Sequence, residues 1–196
     1  AVLSFLFCLT GLGMFVSAEK DFLHEKELSI SLSPVRKEME AYEKEQHEAR
    51  ALEGMLRKLE KDGILIRRPG AYERHLVAGW VGRNFSPKWV SETKTAFSRQ
   101  PISCYIATRE KKILGFACYD VTARGFLGPM GVAEEARKSG VGKVLLVSAL
   151  NALREMGHAY GIIGGVGPAD FYARTVGAMP IEGSSPGIYV DILPEP

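Results

Sequence analysis

The sequence predicts an α/β fold built on one mixed sheet. Three observations point there. Helical and strand-like periodicities alternate from residue 64 onward, two alternating runs are joined by a short charged turn, and the later strand-like runs are separated by helices. A hairpin is antiparallel and a helix-linked pair is commonly parallel, so both pairings enter one sheet.

Taken in order, Ile64-Leu-Ile-Arg-Arg68 is a short strand ended by Pro69-Gly70. Residues 72–85 place Leu76, Val77, Trp80 and Val81 on one helical face, and Ser86-Pro87 starts a second helix carrying Trp89, Val90 and Phe97. Residues 103–108 and 113–121 alternate as strands and form a hairpin across the charged turn from Arg109 to Lys112. Residues 126–132 make a third strand, interrupted by Gly128-Pro129-Met130-Gly131. Proline removes a ladder donor and glycine relaxes the backbone, so this strand is expected to bulge or to leave its neighbour partway along. Residues 142–156 are the strongest helix, with Val144, Leu145, Val147, Leu150 and Leu153 apolar and Gly157 as its stop. A buried strand over 160–164 leads through Gly165-Val-Gly-Pro168 into a helix over 169–176. A final hairpin pairs 179–182 with 188–193 around Gly183-Ser-Ser-Pro-Gly187. The expected order is β-α-α-β-β-β-α-β-α-β-β.

Composition narrows the function classes. The 196 residues carry 25 Lys+Arg against 23 Asp+Glu and are 46% hydrophobic, unlike a collagenous, disulfide-stapled or wholly disordered chain. A net charge of +2 is too small and too dispersed for a phosphate-tracking surface, so no nucleic-acid partner is expected. Three unlike segments make up the average. Residues 1–18 are an uncharged hydrophobic stub that reads as a signal-peptide core, a membrane anchor, a packed helix or a start-site artefact, since the chain opens on Ala1. Residues 19–62 form a charged extension, helical from Ser33-Pro34, whose stripe of Val35, Met39, Tyr42, Leu52, Leu56 and Leu59 suits a solvated spacer or a partner-binding helix. Residues 63–196 have the length and mixture of one domain, with 16 basic residues against 11 acidic ones. Cys8, Cys104 and Cys118 and the histidines at 24, 47, 75 and 158 show no metal-ligand spacing, so no metal is expected and a reducing compartment is favoured.

Of the 21 glycines, 14 lie between Gly115 and Gly187. The sharpest run is Arg137-Lys-Ser-Gly140-Val-Gly142-Lys143, where a strand hands over to a helix. Glycines at the mouth of a helix leave amide N–H groups pointing outward, where the helix dipole adds positive potential, and a pyrophosphate suits that place. Read alone, the run is equally a tight strand-to-helix turn. A Walker loop is excluded because it needs glycine where Arg137 stands and Ser or Thr where Val144 stands, and a dinucleotide fingerprint because Leu145 replaces its third glycine.

The turn does not stand alone. Arg137-x-x-Gly140-x-Gly142, followed about 30 residues later by Phe171-Tyr172-Ala-Arg-Thr-Val-Gly177-Ala178, resembles the GNAT superfamily of acyl-CoA-dependent N-acetyltransferases, and the order of elements from Ile64 to Leu193 agrees. The resemblance implies a mostly antiparallel central sheet flanked by helices and acetyl-CoA as co-substrate. It implies that Arg137, Lys138, Ser139, Gly140, Val141, Gly142 and Lys143 hold the pyrophosphate, that the backbone of Met130 and Val132 pairs with the pantetheine arm, and that Tyr172 protonates the departing thiolate. A phenol with a pKa of about 10 is chemically suited to that last role. The chain departs from the family's common pattern at Glu134, often proline, and at Gly165, often asparagine.

The proton acceptor is not marked. Glu134, Asp120, Tyr119 and Glu182 are candidates beside a water chain, and each also suits a structural or solvated role. The expected acceptor is a small-molecule amine, because residues 72–89 and the last hairpin offer Trp80, Trp89, Arg83, Tyr119 and Tyr189 but few acids to receive a polycation. The run from Gly165 to Tyr172 and on through Ile181-Glu-Gly-Ser also resembles acetyltransferases that accompany amino-sugar hydrolases. A cytoplasmic enzyme is expected, with a cytoplasm-facing anchor through residues 1–18 as the alternative. The rival reading is a non-catalytic or merely CoA-binding module of the same fold. Oligomeric state is left open, a homodimer included.

Overall fold

The computed structural model of the chain describes residues 33–193, and the expectations for residues 1–18 and 19–32 lie outside them. The chain divides into two units between Glu45 and Gln46. Helix α1 (Ser33–Lys61) begins where Ser33-Pro34 predicts. In the first unit residues 36–45 of this helix are exposed, Met39 and Tyr42 included. In the second, Leu59 is buried and Leu52, Met55 and Leu56 pack beside the same core. The packed unit therefore reaches further towards the N-terminus than the boundary at residue 63 suggested by composition. Charged residues dominate the segment, yet one apolar face every three to four residues is enough to dock its last turns.

The second unit continues with β1 (Leu65–Arg67), a 3-10 turn (Ala71–Glu73), α2 (Arg74–Asn84), α3 (Pro87–Ala96), β2 (Cys104–Arg109), β3 (Lys112–Tyr119) and β4 (Phe126–Val132). A second 3-10 turn (Glu134–Ala136), α4 (Val141–Glu155), β5 (Ile162–Ile163) and α5 (Ala169–Val176) complete it. The strands lie in the order β1-β2-β3-β4-β5, antiparallel except for the parallel β4–β5 pair. Alternation along the strands sends side chains to two cores. One face packs Ala117, Tyr119 and Leu127 under Val144, Leu145 and Leu153 of α4. The other packs Ile106, Phe116, Cys104 and Cys118 under Val77 and Val81 of α2 and Ala96 of α3. Phe116 sits at the centre of an aromatic group with Trp80, Phe85 and Trp89, ring centroids 5.7 to 6.1 Å from its own. Ser86 caps α3 by accepting the Trp89 N–H at 3.3 Å, with Pro87 at the first helical position.

The last hairpin of the predicted order is not formed: residues 177–193 run as turns and irregular chain. Ile188, Val190, Ile192 and Leu193 have strand propensity but remain exposed. The edge they would join is only two residues long, and a strand without a ladder partner has nothing to hold it extended. Among the described residues no helix is long and apolar enough to cross a membrane.

Candidate active site

The expected break in β4 is present. Ala117 faces Met130 while Tyr119 faces Leu127, so two steps on β3 span three on β4. Parallel pairing with β5 is confined to Phe126 with Ile162 and Leu127 with Ile163. From Gly128 onward β4 leaves β5, and a wedge opens between them. At the far end the Ala133 N–H donates to the Leu114 carbonyl at 2.8 Å. Backbone groups alternate in direction along an antiparallel strand, so Gly131 turns its N–H and C=O to β3, whereas Met130 and Val132 turn theirs into the wedge. The Phe85 ring occupies the space a Cβ on Gly131 would need, which brings the α2–α3 side of the core down onto the strand.

Beyond β4 the chain enters α4 through the run predicted to hold phosphate. Gly140 takes φ +93°, a conformation that side chains rarely adopt, and its carbonyl accepts the first helical bond from the Val144 N–H at 3.1 Å. The Ser139 hydroxyl donates to the Ala136 carbonyl at 2.6 Å and accepts the Val141 N–H at 3.4 Å. Neither the Gly142 nor the Lys143 N–H finds an acceptor among the described residues. No acid stands in the first turn, and Arg137, Lys138 and Lys143 are exposed around it. Two aimed N–H groups, the helix dipole and three cations form a cradle for an anion.

Both sequence motifs meet at Gly142. A Cβ placed there would lie 3.5 Å from Val132 Cγ2, 3.6 Å from Phe171 Cζ and 3.8 Å from Met130 Cε. The first turn of α4, the end of β4 and the first turn of α5 thus share one point. Phe171 was not among the predicted site residues, although it directly precedes Tyr172 in the quoted motif. The Tyr172 ring stands edge-on to it, centroids 5.1 Å apart, and packs against the α4-side core. Burial pushes the Tyr172 phenol above its ordinary value of 10, so it carries its proton at neutral pH.

The profile of the acetyltransferase (GNAT) family matches residues 68–177, more than half of the chain. The chain belongs to the GNAT acetyltransferase family. Comparison with curated protein sequences returns no match. Among solved structures the chain is similar to the glucosamine N-acetyltransferase region of a fungal multi-domain GH3 β-N-acetylglucosaminidase, at 18% identity and TM-score 0.48 over 62% of this chain and 17% of that one. It is similar to an acetyltransferase of Trypanosoma brucei at 16% identity and TM-score 0.47, over 61% of this chain and 94% of the other. A GNAT-family N-acetyltransferase of Escherichia coli in complex with CoA gives 20% identity and TM-score 0.43 over 58% and 67%. The chain therefore spans less than a fifth of the fungal protein and nearly all of the trypanosomal one. GNAT enzymes use acetyl-CoA, and the residues present suit it: an anion cradle adjoins strand backbone groups able to pair with amides.

Within this GNAT frame the candidate proton acceptors separate. Asp120 is buried and engaged: its Oδ1 accepts the Gly125 N–H at 2.7 Å, with Arg99 at 3.6 Å and His158 at 3.8 Å. Its role is to close the β3–β4 connection. The buried Tyr119 hydroxyl is bonded to Arg68, whose guanidinium lies 4.5 Å from the Tyr105 ring centroid. Tyr119 pairs with Leu127, the last residue of β4 that also pairs with β5, and its hydroxyl is already engaged by Arg68. Glu134 and Glu182 are exposed. Of the expected acceptor wall, Arg83 and Trp80 line a separate cavity of about 730 Å³ between β1, α2 and the β2–β3 turn. Tyr189 does reach the wedge, its ring lying where a Cβ on Gly164 would stand.

Proposed function

We propose that this GNAT domain transfers the acetyl group of acetyl-CoA to the primary amine of a small acceptor, such as an amino sugar or amino-acid derivative, by direct attack in a ternary complex. The observation that carries the proposal is the β4–β5 wedge, with an unsatisfied helix N-terminus at one end and a protonated phenol on its flank. Acetyl-CoA, when bound, supplies an activated thioester carbonyl. The N–H groups of Gly142 and Lys143 bind the pyrophosphate, while Gly140, Val141 and the anchored Ser139 hold the turn in shape. Arg137, Lys138 and Lys143 add charge around it. The Met130 and Val132 backbone pairs with the amides of the pantetheine arm, and a wedge-facing N–H of β4 receives the developing oxyanion. Tyr172 gives its proton to the departing sulfur. Such an enzyme works where its donor is made, in the cytoplasm.

The test has two stages on the full chain. Free CoA at about 100 times its Kd should stabilise the fold by about 2.7 kcal/mol in a thermal melt. Thiol release from acetyl-CoA is then measured across a panel of amino sugars, amino acids and simple alkyl amines. No stabilisation at millimolar CoA sinks the proposal. Stabilisation without release above background on any amine leaves the CoA-binding module as the correct reading.

A further inference from the structure

Two thiols lie face to face inside the sheet and take no part in the chemistry above. Cys104 opens β2, Cys118 stands one residue before the end of β3, and the two are directly opposed in the antiparallel pair. The register beside them is regular, with Tyr105 facing Ala117, Ile106 facing Phe116 and Ala107 facing Gly115. One bond sets the phase of the ladder. The Tyr119 N–H donates to the Ser103 carbonyl at 3.0 Å, so Ser103 with Tyr119 is a hydrogen-bonded pair and the next pair along, Cys104 with Cys118, is a non-hydrogen-bonded one. Residues opposed in that way have Cα atoms about 4.5 Å apart and side chains closer than in the hydrogen-bonded pairs. A disulfide requires Cα atoms about 4.4 to 6.8 Å apart and side chains that point the same way. Both conditions are met, since the two cysteines share the α2–α3 face of the sheet and one buried cluster.

Burial decides when the bond can form. Neither cysteine has any exposed surface, and both are free thiols in this structure. Burial, and after it the neighbouring Cys104 thiol, push the Cys118 thiol up, so it keeps its proton while the domain is closed. An oxidant therefore meets the pair as the chain folds or while β2 and α3 are parted, and a reductant meets the same barrier afterwards. Without an oxidant the two side chains pack as small hydrophobes.

We infer that Cys104 and Cys118 close a cross-strand disulfide when the domain folds in an oxidising medium, and that this bond staples the sheet behind the β4 bulge. The oxidant is a low-molecular-weight disulfide such as oxidised glutathione. One cysteine thiolate attacks a glutathione sulfur, forms a mixed disulfide and releases the first glutathione thiolate. The other cysteine thiolate attacks the protein sulfur of that mixed disulfide, whose S–S bond breaks and releases the second. Two protein thiols are oxidised to one disulfide, one glutathione disulfide is reduced to two thiols, and the two cysteine protons end on the leaving thiolates. Cys118 lies between Ala117 and Tyr119, whose partners Met130 and Leu127 stand on either side of the β4 interruption. The staple thus fixes β3 where β4 bulges, and it touches none of the residues assigned to the donor.

The experiment unfolds the full chain in urea and refolds it with either oxidised or reduced glutathione, then alkylates free thiols in denaturant and digests with trypsin. After oxidative refolding, peptides 100–109 and 113–124 should be joined, with neither cysteine alkylated. Dithiothreitol should open the bond quickly in urea and slowly under native conditions. The oxidised protein should melt about 6–12 °C above the reduced one, the effect of closing a loop of about 15 residues in a domain of this size. Cys8→Ser, altered outside the described residues, should keep that difference and Cys118→Ala should lose it. The difference is read within each variant, and the peptide map decides on the wild type alone if Cys118→Ala does not fold. Alkylated thiols at both positions after oxidative refolding, a link to Cys8, a glutathione adduct that never closes, or a closed bond that lowers the melting temperature overturns the assignment. Each of these leaves the transferase reading intact, because that reading is tested on the reduced protein.

Discussion

Replacing Gly142 with alanine should make the protein more stable and less able to bind CoA. The added methyl would meet Val132, Phe171 and Met130 at 3.5 to 3.8 Å, ordinary van der Waals contacts that require nothing to move. The residue lies inside the first turn of α4 and has no positive φ, so alanine also restricts the unfolded chain without straining the folded one. Together these contribute about 0.5–1 kcal/mol, or roughly 2 °C in melting temperature for a domain of this size. The same methyl fills the meeting point of the two motifs and pushes a phosphate away from the Gly142 N–H. A tenfold loss of affinity reduces the stabilisation by CoA, at 100 times the wild-type Kd, from about 2.7 to about 1.4 kcal/mol. Melting curves with and without CoA read both effects in one assay. A less stable apo protein refutes the packing argument, and an undiminished CoA shift refutes the placement of phosphate at this turn.

Three further outcomes follow from the same geometry. Tyr172→Phe should leave the CoA shift intact and lower turnover by about 10² to 10⁴, measured as initial thiol release; an unchanged rate transfers the acid role to water. Gly131→Ala should destabilise by about 1–3 kcal/mol in urea melts, because its Cβ would enter the Phe85 ring; a neutral effect would mean that the ring swings aside freely. Arg67 and the Gly70 N–H hold the Glu73 carboxyl at about 2, below the ordinary 4.5. The pair therefore contributes stability above pH 4.5 that is lost as pH falls towards 2. Because Arg67 is partly solvated, Glu73→Gln should cost only about 1 kcal/mol at pH 7, with the difference from wild type vanishing near pH 2 in melts across that range.

What could be read from the sequence was whatever local chemistry decides. Ser86-Pro87 caps a helix because a hydroxyl and a fixed φ act within three residues, and Gly128-Pro129 breaks a ladder wherever the strand is placed. Gly140 and Gly142 mark the α4 turn for the same reason. The last hairpin misled because alternation at Ile188, Val190 and Ile192 measures strand propensity, while a strand needs an edge, and β5 stops at Ile163.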